Sequence, residues 1–236
     1  MDDYTKTIEE NYIGVVEHFI LNLESAMSRH LPAITSCHRA VFPTSLSSLL
    51  GQRYLERMFS WYLSTSKTYL FHIELGGRCV GYCGAMLVDG SWPEGSTSSV
   101  LRYSFWSAIW AMAWRPPLWF HKGIWEKWPL FWRNIWFKPT NKKQWLDKMA
   151  NSESIPAAPS VGLIVIGVHP DYQGKGFGSV LLKEFERIAI EKYGVHRFHL
   201  SVRADNEPAI RAYEHAGWQR GELQGTSLSM WKEARG

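Results

Sequence analysis

Cysteine is scarce in this chain: three among 236 residues, Cys37, Cys79 and Cys83, an odd number at irregular spacing. That excludes a disulfide framework, and with no C-x-x-C pair or histidine-rich partner cluster no zinc or other metal site is expected. Long uncharged apolar runs are also missing, so no segment reaches the roughly 18 residues that a membrane-spanning helix requires. The opening M-D-D-Y-T lacks a basic segment followed by an apolar one, so no secretory leader is expected and a reducing cytoplasmic setting fits.

A strong charge bias is absent overall, since the net charge is only +4, yet the charge is unevenly placed. Between Trp92 and Ala150 nine basic residues face three acidic ones, a local +6 that leaves the remainder slightly acidic. Ten of the thirteen tryptophans fall in the same stretch. Tyr103, Trp106, Trp110 and Trp114, then Trp125, Trp128, Trp132 and Trp136, recur at helical spacing, and Arg115-Pro116-Pro117 divides them. Two amphipathic helices are implied.

Elsewhere the pattern alternates between strand and helix. Ile13 to Leu21 read as a first strand, Met27 to Ala40 and Leu49 to Leu63 as helices, and Thr68 to Glu74 and Arg78 to Val88 as a hairpin about Gly76-Gly77. Cys79 and Cys83 lie four apart in that strand, on one face, and read as small core residues rather than acyl-carrying nucleophiles.

The most informative segment is Val168 to Ser179, V-H-P-D-Y-Q-G-K-G-F-G-S, set between the β-branched run Leu163 to Ile166 and a helix carrying Phe177, Leu181, Phe185 and Ile188 on one side. Glycines at 174, 176 and 178 permit close backbone approach and torsions that a side chain forbids, and first-turn N–H groups have no intrahelical partner. Together with the helix dipole these suit a phosphate or pyrophosphate. A dinucleotide fingerprint starting at Gly174 would need glycine where Ser179 stands, and a P-loop would need a G-K-[ST] ending, so both readings fail.

What remains, Gln173-x-x-Gly176-x-Gly178, resembles the signature of the GCN5-related N-acetyltransferases (GNAT). A second pattern, Asn206-x-x-Ala209-x-x-x-Tyr213-x-x-x-Gly217-Trp218 after a strand over Phe198 to Val202, is similar to the strand and helix that follow the phosphate loop in that family. The resemblance implies an α/β GNAT fold: a mixed central sheet splayed between its fourth and fifth strands. Residues 1–236 would be a single acetyltransferase domain, with residues 90–158 a Trp-rich basic helical insertion between the third and fourth strands.

The same resemblance implies acetyl-coenzyme A as acyl donor. Ile166 and Val168 would face the pantetheine, and Gln173, Gly174, Lys175, Gly176, Phe177, Gly178 and Ser179 would form the pyrophosphate loop. Asn206 would touch the donor's other side. Gly167 reads as the mark of a bulge or close approach. Tyr213 would protonate the leaving thiolate, and backbone N–H groups near Ile166 would stabilise the developing oxyanion. For a base, His199 and Ser201 share one face of the fifth strand with Arg203, His72 and Glu74 share a face of the second, and an unprotonated acceptor needs none.

The acceptor is read from the insertion, which admits three roles: an interfacial membrane element, a lid over the acceptor cleft, or a contact with a second subunit in a homodimer. It is too apolar for a typical nucleic-acid groove, so no nucleic acid partner is expected. Ala40-Val41-Phe42-Pro43-Thr44-Ser45 with Leu50-Gly51 and Tyr54-Leu55 resembles a bacterial subgroup associated with surface-polysaccharide assembly. An amine-bearing amino sugar, lipid-linked or free, is therefore the favoured acceptor, at an anionic inner membrane face. The alternatives are a protein or small-molecule amine, or a non-catalytic acetyl-coenzyme A-binding module.

Overall fold

The computed structural model describes residues 22–89 and 159–234. The expected strand over residues 13–21 and the insertion over 90–158 lie outside the described residues. Among those described, seven strands form one sheet in the order β1-β2-β3-β4-β5-β7-β6. They are β1 (Asn22–Ser25), β2 (Thr68–Leu75), β3 (Arg78–Val88), β4 (Ser160–Val168), β5 (Arg197–Arg203), β6 (Gln219–Gln224) and β7 (Ser227–Glu233). Neighbours run antiparallel except β4 and β5, which are parallel. The β2–β3 hairpin turns on Gly76 and Gly77, whose φ of 56° and 78° only glycine adopts cheaply.

Five helices accompany the strands among the described residues: α1 (Leu31–Val41), α2 (Leu46–Leu49), α3 (Gln52–Ser60), α4 (Phe177–Tyr193) and α5 (Glu207–His215). The first starts later than its periodicity suggests, because Pro32 sits in its opening turn and a 3-10 turn over Ser28–His30 precedes it. The helix expected over Leu49 to Leu63 is broken by Gly51 at φ 94°, giving short α2, then α3, then a 3-10 turn over Trp61–Leu63. Ser45 caps α2 by accepting from the Ser48 N–H at 3.3 Å.

Each face of the sheet has its own core. Phe177, Leu181 and Phe185 of α4 pack with Phe71, Ile73, Phe198 and Leu200 on one face. On the other, Leu31, Ile34 and Cys37 of α1 and Leu55 and Phe59 of α3 pack with Leu70 and Tyr82. Each such buried Leu or Phe contributes about 1.5–3 kcal/mol by leaving water.

Two bulges decide which side chains see which core. In β3 the pairing steps from Ile73–Gly81 to Glu74–Cys79, leaving Val80 as an extra residue. Cys79 therefore packs on the α1 face while Cys83 packs on the α4 face, not together on one face as simple alternation suggests. Both are buried core residues.

Candidate functional site

The second bulge lies in β4, where pairing to β3 steps from Gly84–Val165 to Ala85–Leu163 and leaves Ile164 extra. At that point β4 parts from β5: their parallel pairing covers only Val161–Phe198, Gly162–His199 and Leu163–Leu200. Meanwhile β4 stays paired with β3 to Val168, and β5 stays paired with β7 to Arg203. A bulge bends its strand and increases its twist, so an opening forms between the two parallel strands along Ile164–Val168. The bulge is thus three residues before Gly167. Of the two roles expected for Gly167, bulge or close approach, it has the second: a Cβ there would fall 2.9 Å from the Tyr82 ring and hydroxyl.

Beyond β4 the chain is held tightly. The His169 N–H bonds to the Val80 carbonyl at 2.8 Å, Pro170–Tyr172 form a 3-10 turn, and the Gln173 side-chain amide donates to the Val168 carbonyl at 3.0 Å. Gln173 thus pins the loop to the end of β4. Lys175 is drawn back onto the loop, its Nζ 2.7 Å from the Asp171 carbonyl and 5.2 Å from the Tyr172 ring centre. Gly174 and Gly176 adopt left-handed φ of 72° and 86°, and Gly176 is the α4 N-cap.

With glycine at the cap no side chain satisfies the first turn of α4, and no acidic residue occupies it. Gly178 does not share the left-handed torsion of Gly174 and Gly176. It is helical, and a Cβ there would meet nothing within 4 Å, so its smallness leaves space above the helix end. Phe177 turns its side chain into the core, edge-on to Tyr172 at 5.9 Å, while Ser179 is exposed with its N–H on the Gly176 carbonyl at 3.0 Å. Ile166 and Val168 are half-buried on the α4 side of the opening.

Tyr213 of α5 is half-buried on that same side, 6.0 Å from the Trp218 ring. Burial, with a smaller contribution from the Cys83 thiol, pushes its phenol up to about 12, so it holds its proton. Asn206 caps α5, its Oδ1 accepting from the Ala209 N–H at 3.4 Å. His199 and Ser201 lie on the opposite face of β5, as period-two alternation requires. His199 stands at the closed end of the opening: a Cβ on its neighbour Gly162 would fall 2.7 Å from Nε2. Burial lowers the basicity of this imidazole although its outer edge remains exposed. Ser201 lies one alternation further on, past the last β4 pairing.

His72 and Glu74 are not brought to the opening. Their nearest N···O distance is 3.9 Å, and β3 separates them from β4. His72 instead packs beside His30, ring centres 4.7 Å apart, with its Nδ1 buried and unpartnered. The structure adds groups that sequence reasoning did not single out: Tyr82, His38 and Ser47, joined by hydrogen bonds on the α1 face. No motif marks them, because the contact joins residues 44 apart in the chain. Among the described residues no group of three or more His, Cys, Asp or Glu is arranged to hold a metal, and no helix is long and apolar enough to cross a membrane.

A mixed sheet parted between two parallel strands, with an uncapped helix start at the mouth of the gap, is the arrangement that the family resemblance implies. The family model described as Acetyltransferase (GNAT) family matches residues 137–218, so this part of the chain is similar to that family. A mycothiol acetyltransferase from Corynebacterium aurimucosum is 32% identical over 101 residues, covering 37% of this chain and 33% of that protein. An acetyltransferase from Sodalis glossinidius is 36% identical over 67 residues, covering 28% and 44%. The chain thus spans less than half the length of these curated relatives. Among solved structures, an acetyltransferase from Thermus thermophilus superposes with a TM-score of 0.52 at 16% identity, covering 91% of this chain and 97% of that one. The PaiA N-acetyltransferase from Thermoplasma acidophilum, solved in complex with coenzyme A, gives 0.50 at 11%, covering 91% and 99%. At such identities these structures share the fold.

Proposed function

We propose that this protein transfers an acetyl group from acetyl-coenzyme A to a primary amine by direct attack. The observation that carries the reading is the end of β4–β5 pairing at Leu163 and Leu200, directly upstream of the uncapped start of α4. The unpaired edge of Ile164–Val168 suits an extended amide-bearing chain, and the turn from Gly174 to Ser179 suits its pyrophosphate. Backbone N–H groups near Ile166 stabilise charge on the thioester oxygen, and Tyr213, protonated at neutral pH, delivers a proton to the departing sulfur. Tyr213 lies on one face of the sheet and Ser201 and His199 on the other, so the leaving group and the incoming amine are served from opposite sides.

The favoured acceptor is an amino sugar met at an anionic membrane surface, a reading that rests on the sequence of residues 90–158 and on the segment from Ala40 to Leu55. Thiol release from acetyl-coenzyme A in the presence of amino sugars, peptide amines and polyamines tests it. Turnover with an amino sugar supports the assignment. Turnover with peptide amines alone overturns the acceptor, and acetyl-coenzyme A bound without turnover on any amine favours a non-catalytic module.

A further inference from the structure

On the α1 face a row of paired positions crosses the sheet: His72 on β2, Tyr82 on β3 and Gly167 on β4. Tyr82 is fully buried, at 0% exposure, and its hydroxyl lies 2.6 Å from His38 Nδ1. The other His38 nitrogen, Nε2, lies 3.2 Å from Ser47 Oγ. Ser47 Oγ is in turn 3.0 Å from Ser45 Oγ, which donates to Ser48 Oγ at 3.0 Å. Ser48 lines a surface groove of about 400 Å³ with Ser36, Arg39 and Pro43. At the inner end of this chain of hydrogen bonds the Tyr82 ring lies against the backbone of Gly167, a β4 residue beyond the last β4–β5 pair, where a Cβ would fall 2.9 Å from the hydroxyl.

We propose that Tyr82, His38 and Ser47 form a proton path that carries the acceptor's proton from the opening to the surface. The proposal rests on the acetyl-transfer reading. An ammonium acceptor must shed one proton before its nitrogen can attack, and a second as the new C–N bond replaces the C–S bond. The second replaces the proton that Tyr213 gives to sulfur. The first passes to Tyr82 Oη as the Tyr82 proton passes to His38 Nδ1, and the Nε2 proton leaves through Ser47 to water. Tyr82 is the group that meets the amine; His38 and Ser47 are positioning residues acting through it.

The arrangement needs a neutral imidazole, and burial holds His38 down to about 4. The rings about it are Phe42, Phe59 and Tyr82, which carry no charge. The titratable groups about Tyr82 are the thiols of Cys37, Cys79 and Cys83 and the Tyr62 phenol; with burial, which acts most, they push its pKa up, so Tyr82 relays as a hydroxyl. A buried Tyr–His pair that merely satisfies its own hydrogen bonds would show the same distances, and kinetics separate the two roles.

Thiol release is measured with the full chain at pH 7 on two probe amines, glucosamine, which is largely an ammonium there, and hydroxylamine, which is largely neutral. Tyr82→Phe should lower kcat with glucosamine about 100-fold, and the half-exposed Ser47→Ala about 10-fold, in keeping with general acid–base contributions. Both should move the pH–rate profile upward, leave the acetyl-coenzyme A KM unchanged and affect hydroxylamine little. Equal losses on both amines, or a wild-type profile with glucosamine in the folded variants, overturn the path. A wild-type protein that fails to bind acetyl-coenzyme A by calorimetry overturns the transferase reading itself, and the path with it.

Discussion

Gly178 separates ligand binding from folding at a single residue. Its torsions are helical and its Cβ direction is open, so Gly178→Asp should fold as the wild type does while setting a carboxylate where the pyrophosphate is expected. Acetyl-coenzyme A affinity measured by calorimetry should fall below detection, and unchanged affinity would remove the phosphate assignment from the α4 start. The same substitution at Gly176 is less informative, because its left-handed φ adds about 1–2 kcal/mol of strain for any side chain. At Tyr213 the expectation is kinetic. If its phenol protonates the leaving sulfur, Tyr213→Phe should lower kcat about 10- to 100-fold with the acetyl-coenzyme A KM nearly constant. An unchanged kcat, with chemistry limiting, would reduce Tyr213 to a packing residue against Trp218.

Between elements, two glycines of β4 hold different neighbours and should respond differently. A methyl at Gly167 meets a tyrosine ring that is buried and tied to His38, so it cannot move aside without breaking that bond. Gly167→Ala should cost about 1–3 kcal/mol, the usual penalty for overpacking, read as a lower Tm. A methyl at Gly162 meets the far end of the His199 side chain, whose outer edge is exposed and can swing away, so Gly162→Ala should cost less. Equal losses at the two sites would mean that β4 itself, rather than its neighbours, resists a side chain. Joined elements also titrate. His38, between α1 and β3, has a folded pKa of about 4 against 6.5 for the free group. The unfolded chain therefore binds a proton that the folded one refuses, so this contribution is complete above pH 6.5 and is lost as the pH falls toward 4. The unfolding free energy from urea titrations should drop across that window by an amount on the order of 3 kcal/mol, and His38→Asn should flatten the dependence. His72 and His199, also held below their ordinary pKa by burial, act with the same sign.

For the whole molecule, the sequence of residues 90–158 carries the prediction. The basic excess of +6 between Trp92 and Ala150 and the helically spaced tryptophans, read as an interfacial element, should make the protein co-sediment with anionic vesicles. Each basic residue near the surface would supply about 1 kcal/mol, a contribution that salt screens, so binding should weaken at high salt. Trp110 and Trp132 changed together to Ser should weaken it further. Indifference to such vesicles at low salt would leave the insertion as a lid or a subunit contact.

What could be read without the structure was local in origin. Gly76-Gly77 marks a hairpin because two successive positive φ values need glycine, the alternation of β5 assigns its two faces, and Gly176 before an amphipathic run marks an uncapped helix start. The order of elements from β2 onward and the family resemblance both follow from such signals. Ring contacts, bulges and strand separation were not legible, since each depends on residues distant in the chain. A bulge shifts register without leaving a composition signal, which is why Cys79 and Cys83 share a face on paper yet pack into opposite cores, and why nothing in the sequence marked Ile164 as the bulged residue of β4. Tyr82, His38 and Ser47 became neighbours only when α1 closed over β3. The residues by themselves determined which chemistry the chain carries, through short-range backbone and spacing requirements; packing across the sheet decided which side chains meet at the opening and which are spent holding it in shape.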